Sequence, residues 1–154
     1  MIEKLGTKFL NNNFEEIPES TLGTCKVIAL YFGAKWSNAC NNFLPKLLDF
    51  YNEVNKSSTP EQKNLEIIYA NFDNQESVFK SHFKDMPWLA MPFKDNQRIK
   101  LYLDIKEDIS GIPAVLIMKK DGNIALKNGR GDIEKFASGN DKQIFENWLK
   151  LVGL

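Results

Sequence analysis

The chain has 154 residues, of which 43% are hydrophobic, enough apolar material for one domain with a buried core but not for two. Its 20 basic and 20 acidic side chains give a formal net charge of zero, so no positive excess predicts binding to nucleic acid or to an anionic membrane. The first residues lack the apolar segment of a secretory signal, and no stretch is apolar enough to cross a bilayer. We therefore expect one cytoplasmic domain over 1–154, whose partners are proteins, peptides or small molecules and not nucleic acid or a membrane. We also expect a monomer.

Two patterns alternate along the chain: continuous apolar runs, typical of buried strands, and apolar residues three or four positions apart, typical of helices. This alternation indicates the α/β class, with a polar extension or edge strands over 1–24 and a core over 25–150. In chain order we predict a strand over 26–32, a helix over 38–55, a strand over 65–72, a helix ending near residue 84, a short helix ending near residue 104, strands over 114–118 and 123–127, and a helix over 140–150.

Local signals refine these elements. Pro45 lies inside the long helix and should kink it, because its ring clashes with the preceding turn. Asp73 followed by Glu76 predicts a capping box at the start of the second helix, and Asp95 is a candidate cap for the third. The segment 86–93 has two prolines among apolar residues and predicts neither a helix nor a strand.

The first central strand runs into the sequence YFGAKWSNAC over 31–40. With Phe43 and Pro45, this segment resembles the active-site segment of tryparedoxins and nucleoredoxins, whose usual form is W-C-P-P-C followed by F-x-P. The sequence MPWLAMPF over 86–93 is similar to a stretch of the same branch, and Ile112-Pro113 is at the position of the superfamily's cis-proline. The resemblance covers 27–149 and implies a thioredoxin-like fold, in which a central mixed β-sheet has helices on both faces.

Ser37 stands where this family has its nucleophilic cysteine. In a dithiol enzyme the first thiolate attacks a substrate disulfide and the second cysteine resolves the mixed disulfide. A serine hydroxyl is far less acidic, and its oxygen forms no disulfide. The catalytic candidates are therefore Cys40 and, only as the position of the missing nucleophile, Ser37. The structural role predicted for Ser37 is that of helix N-cap, accepting from the N–H of a residue such as Cys40.

The two cysteines have few partners for chemistry. Cys25 and Cys40 are separated by a predicted seven-residue strand at about 3.3 Å per residue, which is beyond disulfide reach. Cys40 lies on the apolar stripe of the first helix, which predicts a buried and inert thiol. The alternative is a reactive monothiol, one turn from the helix N-terminus. His82 is the only histidine and is predicted to be structural, so nothing supports a hydrolytic triad with Ser37.

A binding surface is the other feature that the resemblance implies. Its candidate residues are Trp36, Asn38, Ala39, Trp88, Ile112, Pro113 and Arg130. The two tryptophans could form an apolar groove for an extended partner or could complete the core, and the sequence leaves both open. Arg130 is in the region where tryparedoxins have an arginine thought to face their partners. The surrounding Gly-x-Gly spacing lacks the other features of a phosphate loop, and we expect neither a cofactor nor a metal.

Two functional classes remain open. One is a protein-binding module of the thioredoxin fold that has lost its nucleophile, with a degenerate W-S-N-A-C motif and weak or absent redox activity. The other is a thiol-disulfide oxidoreductase, either with single-cysteine chemistry at Cys40 or with Ser37 as an engineered replacement of the catalytic cysteine.

Overall fold

The computed structural model describes residues 3–94 and 96–154. Within these residues, seven strands form one mixed sheet and five α-helices pack on it. The strands are β1 (Lys8–Leu10), β2 (Glu16–Pro18), β3 (Val27–Gly33), β4 (Leu65–Asn71), β5 (Leu89–Ala90), β6 (Ala114–Met118) and β7 (Ile124–Leu126). The helices are α1 (Asn38–Val54), α2 (Glu76–Phe83), α3 (Gln97–Ile105), α4 (Gly129–Glu134) and α5 (Asp141–Leu151). None of the described helices combines the length and apolarity that crossing a bilayer requires.

The strands lie in the order β2-β1-β5-β4-β3-β6-β7. β4 is parallel to both β3 and β5, whereas the other neighbouring pairs are antiparallel. All seven residues of β3 are buried, as expected for a central strand covered on both faces. The register pairs Gly33 with Asn71, so the carboxyl ends of β3 and β4 lie side by side. The segments that follow these two strands therefore meet at one edge of the sheet.

The core consists of two apolar layers, one on each face of the sheet. On one face, side chains of α1, α2, α4 and α5 pack against alternate residues of the central strands. On the other face, α3 and the amino-terminal segment cover the remaining residues. The α/β class and the mixed sheet with helices on both faces are thus as predicted.

Several local predictions were wrong or incomplete. The segment 86–93 contains the short strand β5, and helix α4 begins near residue 130, where no helix was predicted. The capping box is absent, because the residue before α2 is Gln75 and the Asp73 carboxylate accepts the backbone N–H of Lys35 instead. The predicted cap at Asp95 lies outside the described residues.

Candidate functional site

Ser37 is the N-cap of helix α1, which begins within the W-S-N-A-C motif. Its backbone is extended, with φ −89° and ψ 116°, and its Oγ accepts the backbone N–H of Cys40 at 3.2 Å. This is the bond predicted from the sequence. Because an N-cap satisfies one of the unpaired donors of a helix start, the serine has a structural role that needs no chemistry.

Hydrogen bonds to residues outside it hold the loop before α1. The Lys35 N–H donates to Asp73 Oδ1 at 2.9 Å, and Lys35 O accepts from Asn41 Nδ2 at 2.8 Å. The indole Nε1 of Trp36 donates to Phe72 O at 3.1 Å. The bond from the indole to Phe72 fixes the orientation of the ring, although 63% of Trp36 remains exposed. A large apolar ring is thus held in place on the surface, where such rings commonly serve as binding anchors.

Cys40 lies in the first turn of α1 and is only 1% exposed. Both cysteines are free thiols, in agreement with the absence of an internal disulfide that the sequence predicts. Burial of Cys40, predicted from its place on the apolar stripe, is confirmed. Its low reactivity stays a prediction.

We expect an alkylating thiol reagent to modify Cys40 at least about a hundredfold more slowly in the native protein than in urea, because the reagent must wait for local opening of α1. Mass spectrometry of timed samples would follow each cysteine separately. A native rate close to that in urea would favour the monothiol alternative.

The Tyr31 hydroxyl lies near this thiol and has no hydrogen-bond partner among the described residues. Burial raises the pKa of the Tyr31 hydroxyl, and the nearby Cys40 side chain and Asp73 raise it further. Tyr31 and Cys40 nevertheless form no hydrogen bond of normal geometry, and Asp73 Oδ2 is also without a hydrogen-bond partner in the described part of the chain.

Burial lowers the pKa of His82 below its ordinary value of 6.5; Lys35 also lowers it, whereas Asp73 and Asp85 oppose the decrease. The site therefore favours an uncharged tyrosine and an uncharged histidine.

The lowered pKa of His82 predicts a loss of stability on acidification. Below pH 6.5 the unfolded chain binds a proton at His82 before the folded protein does, so the free energy of unfolding should fall by up to about 1.4 kcal/mol per pH unit until the folded pKa is passed. Urea unfolding at several pH values should show a weaker dependence in His82→Gln. The raised pKa of buried Glu66 acts in the opposite direction but is common to both proteins. Identical pH profiles would contradict the prediction.

A groove of about 490 Å³ lies beside the exposed indole. It is lined by Trp36, Phe72, Tyr102 and the segment 109–112, and the Phe72 and Tyr102 rings meet edge to face at 5.0 Å between centroids. The Ile112-Pro113 peptide bond is cis, the geometry expected from the sequence. We call this feature the Trp36 groove. Apolar rings and a stretch of irregular backbone together suit an extended polypeptide.

The structure brings some of the candidate groove residues together and separates others. Trp36 and Ile112 line the Trp36 groove, with Pro113 buried next to it, whereas Asn38 and Ala39 are exposed on the first turn of α1. The expectation that Trp88 lines the groove is wrong. Trp88 is 1% exposed and packs edge-on against Tyr31 and Tyr51, at centroid distances of 6.3 and 5.4 Å, so it belongs to the core.

Arg130 also differs from the sequence expectation. Its Nη1 donates to the carbonyl oxygen of Pro113 at 3.1 Å, and its Nε pairs with Glu134 Oε1 at 3.5 Å. The guanidinium therefore contacts the cis-proline segment of its own chain, which makes it a neighbour of the Trp36 groove and not one of its lining residues.

Sequence reasoning missed Phe72, Tyr102 and Ile109 as groove residues. A signal existed for Phe72, because it ends the strand predicted over 65–72, and the carboxyl ends of neighbouring parallel strands share a sheet edge. No local pattern identifies Tyr102 or Ile109, since tertiary packing of α3 brings them there. Within residues 3–94 and 96–154, no group of three or more His, Cys, Asp or Glu side chains is arranged to hold a metal ion.

Comparison with known proteins agrees with this geometry. The sequence model of a family described as thioredoxin-like matches residues 23–124. A probable nucleoredoxin 3 of Oryza sativa subsp. japonica is 42% identical over 107 residues, which cover 70% of this chain and 21% of that protein. The chain spans less than a third of the length of the curated nucleoredoxins that it matches.

Solved structures give the same result over nearly the whole chain. A thioredoxin from Wuchereria bancrofti superposes with a TM-score of 0.75 at 29% identity, covering 97% of this chain and 99% of that one. Tryparedoxin II from Crithidia fasciculata has a TM-score of 0.71 at 30% identity, covering 87% of this chain and 86% of that one. This chain therefore belongs to the thioredoxin-like family, in its tryparedoxin and nucleoredoxin branch.

Proposed function

We propose that this chain is a protein-binding module within a redox family, which holds extended polypeptides in the Trp36 groove and performs no dithiol chemistry. The observation that carries the proposal is the contrast between two neighbouring groups. The Trp36 indole is exposed and fixed beside the groove, whereas the Cys40 thiol is 1% exposed and has a serine where its partner thiol would be. The site is thus better suited to contact than to disulfide exchange.

The groove offers both kinds of interaction that extended chains use. Ser110 and Gly111 are exposed and belong to no strand, so their backbone groups can pair with a passing main chain. The rings of Trp36 and Tyr102 can cover an apolar side chain of that polypeptide. Main-chain pairing provides affinity for many sequences, and the apolar contact provides a preference among them.

The alternative is thiol-disulfide exchange by Cys40 alone. Membership of a redox-type family and the location of Cys40 in the first turn of α1 favour it. Burial disfavours it, because an attacking thiolate must reach the substrate sulfur. A thiol at this depth could react only after the start of α1 opens.

Replacing Trp36 with alanine tests the proposal. A suitable probe is reduced, carboxymethylated α-lactalbumin, a soluble unfolded polypeptide without free thiols, titrated by isothermal calorimetry. Trp36→Ala should weaken its binding by about 1 to 2 kcal/mol, as expected for an aromatic anchor, with little change in stability since the ring is exposed.

Leu151→Ala is the matched control, because it removes a partly exposed apolar side chain on α5 that does not line the groove. Equal affinities of the parent, the control and Trp36→Ala would show that the indole is not an anchor. If the parent itself binds no unfolded polypeptide, the binding function would have to be abandoned.

A further inference from the structure

Arg130 lies between two glycines whose positions depend on having no side chain. A Cβ on Gly129 would lie 2.9 Å from the carbonyl oxygen of Val115, closer than real Cβ atoms approach. A Cβ on Gly131 would lie 2.7 Å from Asn128 Nδ2, and Asn128 Oδ1 accepts the Gly131 N–H at 2.9 Å. The start of α4 is therefore pressed against β6 and fixed by a side-chain cap. This close approach brings the residue between the glycines to the beginning of β6.

The guanidinium is held on two sides. Its Nη1 donates to Pro113 O at 3.1 Å, and its Nε pairs with Glu134 one turn later in α4 at 3.5 Å. Different nitrogens make the two contacts, so a planar guanidinium with both contacts has one orientation. Because proline has no N–H, the carbonyl is the only backbone group by which Pro113 can be hydrogen-bonded.

We propose that Arg130 is a positioning residue, which holds the Pro113 carbonyl so that the backbone of the preceding residues keeps its place in the wall of the Trp36 groove. The bond acts one residue beyond Ile112, at the junction between the groove wall and β6. The effect of Arg130 on affinity rests on the proposed function, whereas its effect on the order of the segment 109–114 does not.

The test compares Arg130→Gln with Lys135→Met. The glutamine is too short to keep the bond to Pro113, and Lys135 is an exposed cation at the end of the same helix, so its loss controls for charge. Arg130→Gln should bind carboxymethylated α-lactalbumin about tenfold more weakly, as for the loss of a charge-assisted hydrogen bond. Amide hydrogen exchange of residues 109–114 should be faster in this variant and unchanged in β3. Lys135→Met should match the parent in both measurements.

Arg130→Lys should lie between the parent and Arg130→Gln, because one ammonium cannot hold Pro113 and Glu134 in the same way. Parent-like affinity and exchange in Arg130→Gln would overturn the proposal. If Arg130→Gln does not fold, parent-like affinity and exchange in Arg130→Lys would overturn the proposal. If the parent binds no polypeptide, the proposed function fails, while exchange in the segment 109–114 still decides whether Arg130 orders it.

Discussion

Ser37→Cys should convert a protein with background activity into one that reduces insulin disulfides at least about a hundredfold faster, because it restores the missing nucleophile. The new thiol would stand at the N-cap of the 17-residue helix α1, where the helix dipole and the Cys40 N–H, now 3.2 Å from Ser37 Oγ, can stabilise a thiolate. Cys40 would then resolve the mixed disulfide from three residues along the chain. Insulin turbidity with a dithiol reductant measures the rate, and peptide mass spectrometry detects a disulfide between positions 37 and 40.

Two controls separate the parts of this prediction. Ser37→Ala should remain inactive and lose about 1 kcal/mol of stability, since alanine cannot cap the helix. The double variant with Cys40→Ser should form mixed disulfides that it does not resolve. Turnover by the parent comparable with Ser37→Cys would show that the protein has redox chemistry of its own, and failure to form the internal disulfide would contradict the proposed geometry.

Trp88→Ala should lower the free energy of unfolding by about 4 kcal/mol, the usual cost of removing a buried aromatic side chain. The ring is 1% exposed and touches Tyr31 and Tyr51 between the sheet and α1. Equilibrium unfolding in urea provides the measurement, and Trp36→Ala, with its exposed ring, should stay within about 0.5 kcal/mol of the parent.

Trp88→Phe refines this prediction. The indole Nε1 of Trp88 has no hydrogen-bond partner among the described residues, so phenylalanine removes an unpaired buried donor while keeping most of the apolar ring. Trp88→Phe should therefore lower the free energy of unfolding much less than Trp88→Ala does. Equal stability losses in Trp88→Ala and Trp36→Ala would place Trp88 on the surface and reopen the groove assignment that its burial excludes.

The parts of the fold that follow from local pattern were predictable. The strand before the motif, the long helix α1 and the N-cap role of Ser37 depend on residues close in the sequence. Helix α4 was not predictable, because glycine disfavours helices. The reason for Gly129 is its close packing on β6, a tertiary contact that no local pattern shows. Trp36 and Trp88 are the same residue type, and the pairing of β5 with β4 helps to place the second one in the core.

The candidate site shows the same division. The cis bond before Pro113 and the burial of Cys40 could be inferred from motif and spacing. The contact of Arg130 with Pro113 could not, because the two residues are 17 positions apart and meet only through the packing of α4 on β6. Asp73 was predicted to cap the start of α2, but its carboxylate accepts the Lys35 N–H instead. This bond forms because the carboxyl ends of β3 and β4 lie side by side.

The edges of the sheet limit where an unfolded polypeptide can attach. A chain that adds to a sheet needs a row of free backbone N–H and C=O groups, which also templates aggregation. Within the described residues the outermost strands β2 and β7 are three residues long each, and β2 ends in Pro18, which has no N–H to offer. These short edges oppose strand addition, so under the proposed function a polypeptide would bind in the Trp36 groove and not at the edge of the sheet.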